Sequence, residues 1–122
     1  MDFDLAIDAM AHYVRIRITG GPSIGQLLSL IHLVGVESET WDDDKVLVDL
    51  RGVVTPFSTP EQFRIGEEAA ASLSHMRRIA SVVPPERVTR VSEKAARRNG
   101  ANVRVFDDEQ QAIAWLSAPP AD

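Results

Sequence analysis

Lys45-Val46-Leu47-Val48-Asp49-Leu50 is a short run with a single acid inside it. A strand with one wet face alternates apolar and polar residues; a run apolar at successive positions marks a strand covered on both faces. Such a strand needs a layer on either side, and the flanking sequence supplies them. Downstream, Gly52 to Thr59 is a connector containing Pro56. Thr59-Pro60-Glu61-Gln62 then starts a helix, with Thr59 as N-cap hydroxyl and proline in the first turn, and the helix is expected to reach about Ser74. Ile79 to Val83 is the next strand, stopped by Pro84-Pro85. Glu86 to Asn99 is expected to be a third helix ended by Gly100, with Glu86/Arg90 and Glu93/Arg97 in the favourable i,i+4 order. Asn102 to Phe106 is a last strand, and Asp107-Asp108-Glu109-Gln110 caps a final helix reaching Ser117.

Upstream, Phe3, Leu5 and Ile7 alternate with Asp4, Ala6 and Asp8, and Val14, Ile16 and Ile18 alternate with Arg15 and Arg17. Both have the period of a half-buried strand, and the short break at Met10-Ala11-His12 makes them an antiparallel hairpin. After Gly20-Gly21-Pro22, Ser23 and Gln26 form a capping box for a first helix expected to end near Gly35. Glu37 to Asp44 is polar and reads as a loop. The order is ββαβαβαβα. It predicts one α/β domain over residues 1–118, with a five-stranded, mostly parallel mixed sheet, an antiparallel first edge strand and right-handed crossovers. Residues 119–122 form a C-terminal tail.

The composition of the 122 residues narrows the function classes. Apolar residues make up 44% and charged residues 25%, an ordinary globular balance. There is no cysteine, which excludes a disulfide scaffold, a cysteine metal site and a thiol nucleophile. No apolar run is long enough to span a membrane, and Met1-Asp2-Phe3-Asp4 lacks the basic region of a secretory signal, so a cytoplasmic protein is expected. The net charge of −5 argues against nonspecific nucleic-acid binding. That mean conceals a block from Arg77 to Arg104 with eight basic residues opposed only by Glu86 and Glu93, a surface suited to an acidic partner or an anion.

Val46-Leu47-Val48-Asp49-Leu50-Arg51-Gly52-Val53 resembles the strand-and-turn signature of the STAS superfamily, whose type member is the anti-anti-sigma factor SpoIIAA. The C-terminal stretch Val103 to Leu116 is similar to the endings of bacterial SpoIIAA-like (STAS/SEC14-like) proteins. The resemblance implies a SpoIIAA-like fold and a non-enzymatic regulatory or protein-interaction domain. The SEC14-like label implies an alternative, a module that binds a lipid or a small apolar or anionic ligand. In the STAS pattern the turn after the signature strand carries Asp-Ser-Ser-Gly, and a serine there is phosphorylated. Counting on from Asp49 puts Phe57 at the aspartate, Ser58 and Thr59 at the hydroxyls and Pro60 at the glycine. Ser58 and Thr59 are therefore candidate phosphorylation sites. A phosphate at a helix N-terminus meets free amides and a positive dipole end. The competing reading makes Thr59 only an N-cap and Ser58 a loop residue.

No other string carries strong chemistry. His12, His32 and His75 have no metal-ligand spacing, and no HExxH, CxxC or GxSxG motif occurs. Asp42-Asp43-Asp44 reads as a solvated loop, because three adjacent acids do not converge on one ion without further ligands. No catalytic residue, metal or cofactor is expected. Trp115 belongs to an apolar stripe that packs on the sheet, whereas Trp41 stands in a polar loop, either as a lid over the core edge or as a contact residue. From Ile18 to Val36 there is no formally charged residue. On a helical wheel Ile24, Leu27, Leu28, Ile31 and Val34 form the core stripe, and Leu30 and Leu33 fall outside it. The candidate interaction surface therefore comprises Leu30, Leu33 and Trp41 for a protein partner or a second copy in a homodimer, and Arg87, Arg90 and Lys94 for an acidic one.

Overall fold

The computed structural model describes residues 3–119. Met1 and Asp2 of the acidic start, and residues 120–122 of the expected tail, lie outside the described residues. The elements are β1 (Phe3–Ala9), β2 (Val14–Gly20), α1 (Ile24–Ser38), β3 (Lys45–Val53), α2 (Thr59–Leu73), β4 (Arg78–Val82), a 3-10 turn (Pro85–Arg87), α3 (Val91–Arg98), β5 (Val103–Phe106) and α4 (Glu109–Ser117). The sheet follows chain order, β1-β2-β3-β4-β5. β1 and β2 pair antiparallel, from Phe3 opposite Gly20 to Ala9 opposite Val14, and every later pair is parallel. This is the ββαβαβαβα order that the sequence pattern predicts.

Two cores flank the sheet, as the β3 run requires. On one face Ile16, Ile18, Val46, Ile79 and Val103 meet Leu27 and Val34 of α1, Ala70 and Leu73 of α2 and Ala96 of α3. On the other, Leu47, Ala80 and Val82 meet Ala112 and Leu116 of α4. Val46 and Leu47 are adjacent in sequence and both inaccessible, because successive strand residues point to opposite faces and each face is covered.

β3 runs on through Gly52 and Val53, which the sequence reading gives to the connector, and three further differences have a physical reason. α1 continues past Gly35 to Ser38. Gly35 is not a stop; a Cβ there would collide with the Ser72 carbonyl oxygen, so this glycine lets α1 and α2 approach closely. The N-cap of α2 is Ser58, not Thr59: its Oγ accepts from the Glu61 amide at 3.3 Å, and its own amide donates to Glu61 Oε1 at 2.8 Å. The continuous helix expected over Glu86–Asn99 is broken into the 3-10 turn and α3. Arg90 adopts φ 62°, a left-handed conformation that reverses the chain before α3. Arg90 therefore pairs with Glu93 at 2.7 Å instead of Glu86, and Arg97 donates to the Val103 carbonyl at 2.8 Å.

Candidate functional site at the carboxyl end of the sheet

In an open α/β sheet, ligands meet the crevice outside the carboxyl ends of the parallel strands. Here that region is the segment Val54 to Phe57 between β3 and α2, facing residues 83–90 across a cavity of about 310 Å³. Leu50 and Val53 of β3, Ile65 of α2, Val105 of β5 and Leu27 of α1 wall it, and Gln62, Glu86, Arg87, Thr89 and Arg90 stand around it. A second space of about 60 Å³ lies further in and shares Leu27, Leu50, Ile65, Ser81 and Ser92 with the first.

The turn is held from several sides. Thr55 Oγ1 donates to the Pro22 carbonyl at 2.7 Å, which ties it to the segment preceding α1. Gln62 Nε2 donates to the Phe57 carbonyl at 2.9 Å, and Thr89 donates to Gln62 Oε1. Arg87 spans the gap: Nη1 donates to the carbonyls of Val53 at 2.7 Å and Thr55 at 3.3 Å, and Nη2 to that of Val54 at 3.3 Å. Ser58 and Thr59 lie exposed at the start of α2. Ser58 carries the capping box and Thr59 takes no part in it. Val54 in the same connector is 65% exposed, and Phe63 on α2 is 39% exposed.

On the opposite face of β3 a different polar group forms. Asp49, buried in the signature strand, accepts from Arg51 Nη2 at 2.9 Å and Arg15 Nη2 at 3.2 Å. Glu109 in the first turn of α4 accepts from Arg15 Nε at 2.8 Å and Arg51 Nη2 at 2.7 Å. Burial pushes the Asp49 carboxyl up, but hydrogen bonds from the Arg51 side chain and amide, with the charges of Arg51 and Arg15, hold it below its ordinary value. The hydrogen bond from Arg15 holds Glu109 low against its own burial. The Asp49 bonds raise Arg51, and the Glu109 bond raises Arg15. This group fastens α4 to the sheet. Arg15, Arg51 and Glu109 escaped the sequence reading, because the β2–β3 register, with Arg15 beside Leu47 and Arg17 beside Asp49, and the packing of α4 bring them together.

The candidate residues scatter. Leu30 is half-buried against the main core and Trp41 packs there too, while Leu33 is 50% exposed on the outer side of α1. Arg87 is at the cavity, Arg90 is bonded to Glu93 and the Val105 carbonyl, and Lys94 is exposed on α3. The basic block is not one surface. Arg78 is buried and donates to the Trp115, Ala118 and Pro119 carbonyls at the end of α4, and Arg104 stacks on the Trp115 ring at 5.9 Å. Trp115 packs against Phe106 beside the second core, as its stripe predicts. His75 Nε2 lies 2.8 Å from Ser38 Oγ, whose hydroxyl donates to the Gly35 carbonyl, and His32 lies 4.0 Å from Glu68. Among the described residues no group of three His, Asp or Glu could hold a metal ion. No helix among them is long and apolar enough to cross a membrane.

A family model described as SpoIIAA-like matches residues 13–117, from the end of the hairpin turn to the last residue of α4. The chain belongs to the SpoIIAA-like family. Among solved structures, an anti-sigma factor antagonist from Mycobacterium paratuberculosis superposes with a TM-score of 0.67 at 12% identity, covering 96% of each chain. An uncharacterized protein of the DUF3478 family with a SpoIIAA-like fold, from Shewanella loihica, superposes with a TM-score of 0.58 at 13% identity, covering 93% of each. At such identities the likeness establishes the SpoIIAA-like fold. No curated protein matches the sequence.

Proposed function

We propose that this SpoIIAA-like chain is a non-enzymatic, cytoplasmic regulatory domain that docks a protein partner over the β3–α2 turn. One observation carries the reading: Ser58 and Thr59 stand exposed at the start of α2, with exposed apolar side chains at Val54 in the connector before them and at Phe63 on the helix after them. An apolar rim beside a modifiable hydroxyl suits a partner that phosphorylation releases. The fold shared with an anti-sigma factor antagonist supports it. Thr59 is the freer target, because its hydroxyl is not committed to the cap, whereas a phosphate on Ser58 would face the Glu61 carboxylate of its own capping box. The experiment compares capture of a partner from the native host by Ser58→Asp, Thr59→Asp, Ser58→Ala, Val54→Asp and wild type. Retention by Ser58→Ala with loss by Thr59→Asp and Val54→Asp supports the docking surface. Equal capture by all five rejects it. The exposed outer face of α1, with Leu33 and Val36, is the surface we propose for self-association. Sedimentation of Leu33→Asp tests it, and an unchanged oligomeric state rejects it.

The cavity favours a second reading, a module for a small apolar or anionic ligand. Its walls are apolar, it opens at the carboxyl end of the strands, and its size falls in the range of small-molecule sites. Mass spectrometry of ligand extracted from protein purified from its own host tests this reading, and an empty extract counts against it.

A further inference from the structure

We propose that this cavity binds a medium-chain aliphatic carboxylate, with the chain against Leu50, Ile65 and Val105 and the carboxylate on Arg87. The inference rests on the ligand-binding reading above and adds the ligand's chemical class and its anchor.

The deciding observation is the charge of Arg87 at the cavity: Arg78 is likewise held by carbonyls, but it lies under the end of α4 and does not line the cavity. Arg15, Arg17, Arg51 and Arg90 each lie within 4 Å of a carboxylate oxygen. Arg87 is half-buried, and its partners are three backbone carbonyls. Those bonds use three of the five N–H donors of a guanidinium, and the other two have no partner among the described residues. A cation held by neutral dipoles beside an apolar cavity favours an anion, and the guanidinium fork suits a carboxylate above other small anions of one charge. Glu86 also stands at the cavity, but it is exposed and water screens it, and the charge of Arg90 is met by Glu93.

Shape and strain agree. Arg87 and Arg90 line only the outer space, and the inner 60 Å³ is walled by Ile31, Val48, Leu73 and Ile79. Polarity therefore falls from mouth to interior, the gradient of an amphiphile with one charged end. The outer space of about 310 Å³ is at the small end of small-molecule sites, which suits a medium-chain amphiphile over a long-chain one. The left-handed backbone of Arg90 stores strain at the rim of the opening.

The probes are sodium octanoate, 1-octanol and octylammonium, titrated into the labelled protein at neutral pH while the methyl resonances of Leu50, Ile65 and Val105 are followed. The expected order is octanoate tightest, octanol about tenfold weaker and octylammonium weakest. Arg87→Met should bring octanoate down to the octanol level, and Arg87→Lys should retain most of the difference. Ser81→Leu, which fills the space where the two cavities meet without touching Arg87, should abolish binding of all three. Equal affinities for octanoate and octanol in the wild type, or an octanoate affinity unchanged by Arg87→Met, overturn the anion and its anchor and leave the apolar-ligand reading standing. Silence of those methyls toward all three probes overturns both. Should thermal unfolding show that Arg87→Met does not fold, the octanoate-to-octanol ratio of the wild type and the loss in Ser81→Leu decide the matter.

Discussion

The two faces of β3 use arginine in opposite ways. Beside α4, Arg15 and Arg51 share the carboxylates of Asp49 and Glu109, so the charges are matched inside the fold. At the carboxyl end of the sheet, Arg87 has carbonyls for partners and an apolar cavity for a neighbour. A matched cluster has spent its electrostatics on architecture, and a cation left to neutral dipoles keeps its charge available. Carbonyl partners alone do not mark a site, since Arg78 under the end of α4 has them too; it is the cavity beside Arg87 that sets it apart.

The largest expected effect comes from breaking the matched side. Asp49→Ala leaves Arg15 and Arg51 without their buried partner and should cost about 3 kcal/mol in denaturant unfolding. The same cluster sets the acid response. Asp49 and Glu109 sit below their ordinary values of 3.8 and 4.5, so in acid the unfolded chain binds protons first. The stability they supply is whole above about pH 5, fades as pH falls past those ordinary values, and is gone below the folded-state ones. Midpoints measured from pH 7 to pH 2.5 should show that loss, reduced in Asp49→Ala. A parallel loss in the variant would assign the acid response to other carboxylates.

Next comes the unmatched side. Arg87→Met removes hydrogen bonds without stranding a partner charge, and the freed carbonyls lie near solvent, so the cost should be about 1.5 kcal/mol. A loss equal to that of Asp49→Ala would erase the contrast between the two regions. The pH profile of Arg87→Met should parallel that of the wild type, since no carboxylate loses an arginine.

The smallest effects sharpen the site itself. Ser58→Ala removes the N-cap of α2 and should cost about 1 kcal/mol, while Thr59→Ala should change stability by no more than about 0.3 kcal/mol. The reverse ranking in thermal unfolding would return the cap to Thr59.

Local signals reached far into this fold because they depend on residues close in sequence. The capping box of Ser23 and Gln26 needs only four residues, and it starts α1 where the pattern puts it. The period of β1 and β2 and the doubly buried β3 run set the element order and the two-layer cover. At α2 the local signal was ambiguous: Ser58 and Thr59 are both good caps, and the reach of Glu61 back to the Ser58 amide chose between them. At α3 it misled, since Glu86 to Asn99 has helical composition but the chain reverses at Arg90. Only tertiary structure decided where the eight basic residues of Arg77 to Arg104 point. It buried Arg78 under the end of α4, stacked Arg104 on Trp115 and set Arg87 over the cavity. Asp49 was legible as an acid in an apolar strand with Arg51 two positions on, but Arg15 reaches it from β2, 34 positions away, and Glu109, which shares both arginines, comes from α4. The reason is physical: periodicity and capping act within a few residues, whereas a charge finds its partner, and a cavity its walls, through the register of strands that meet only after the chain has folded.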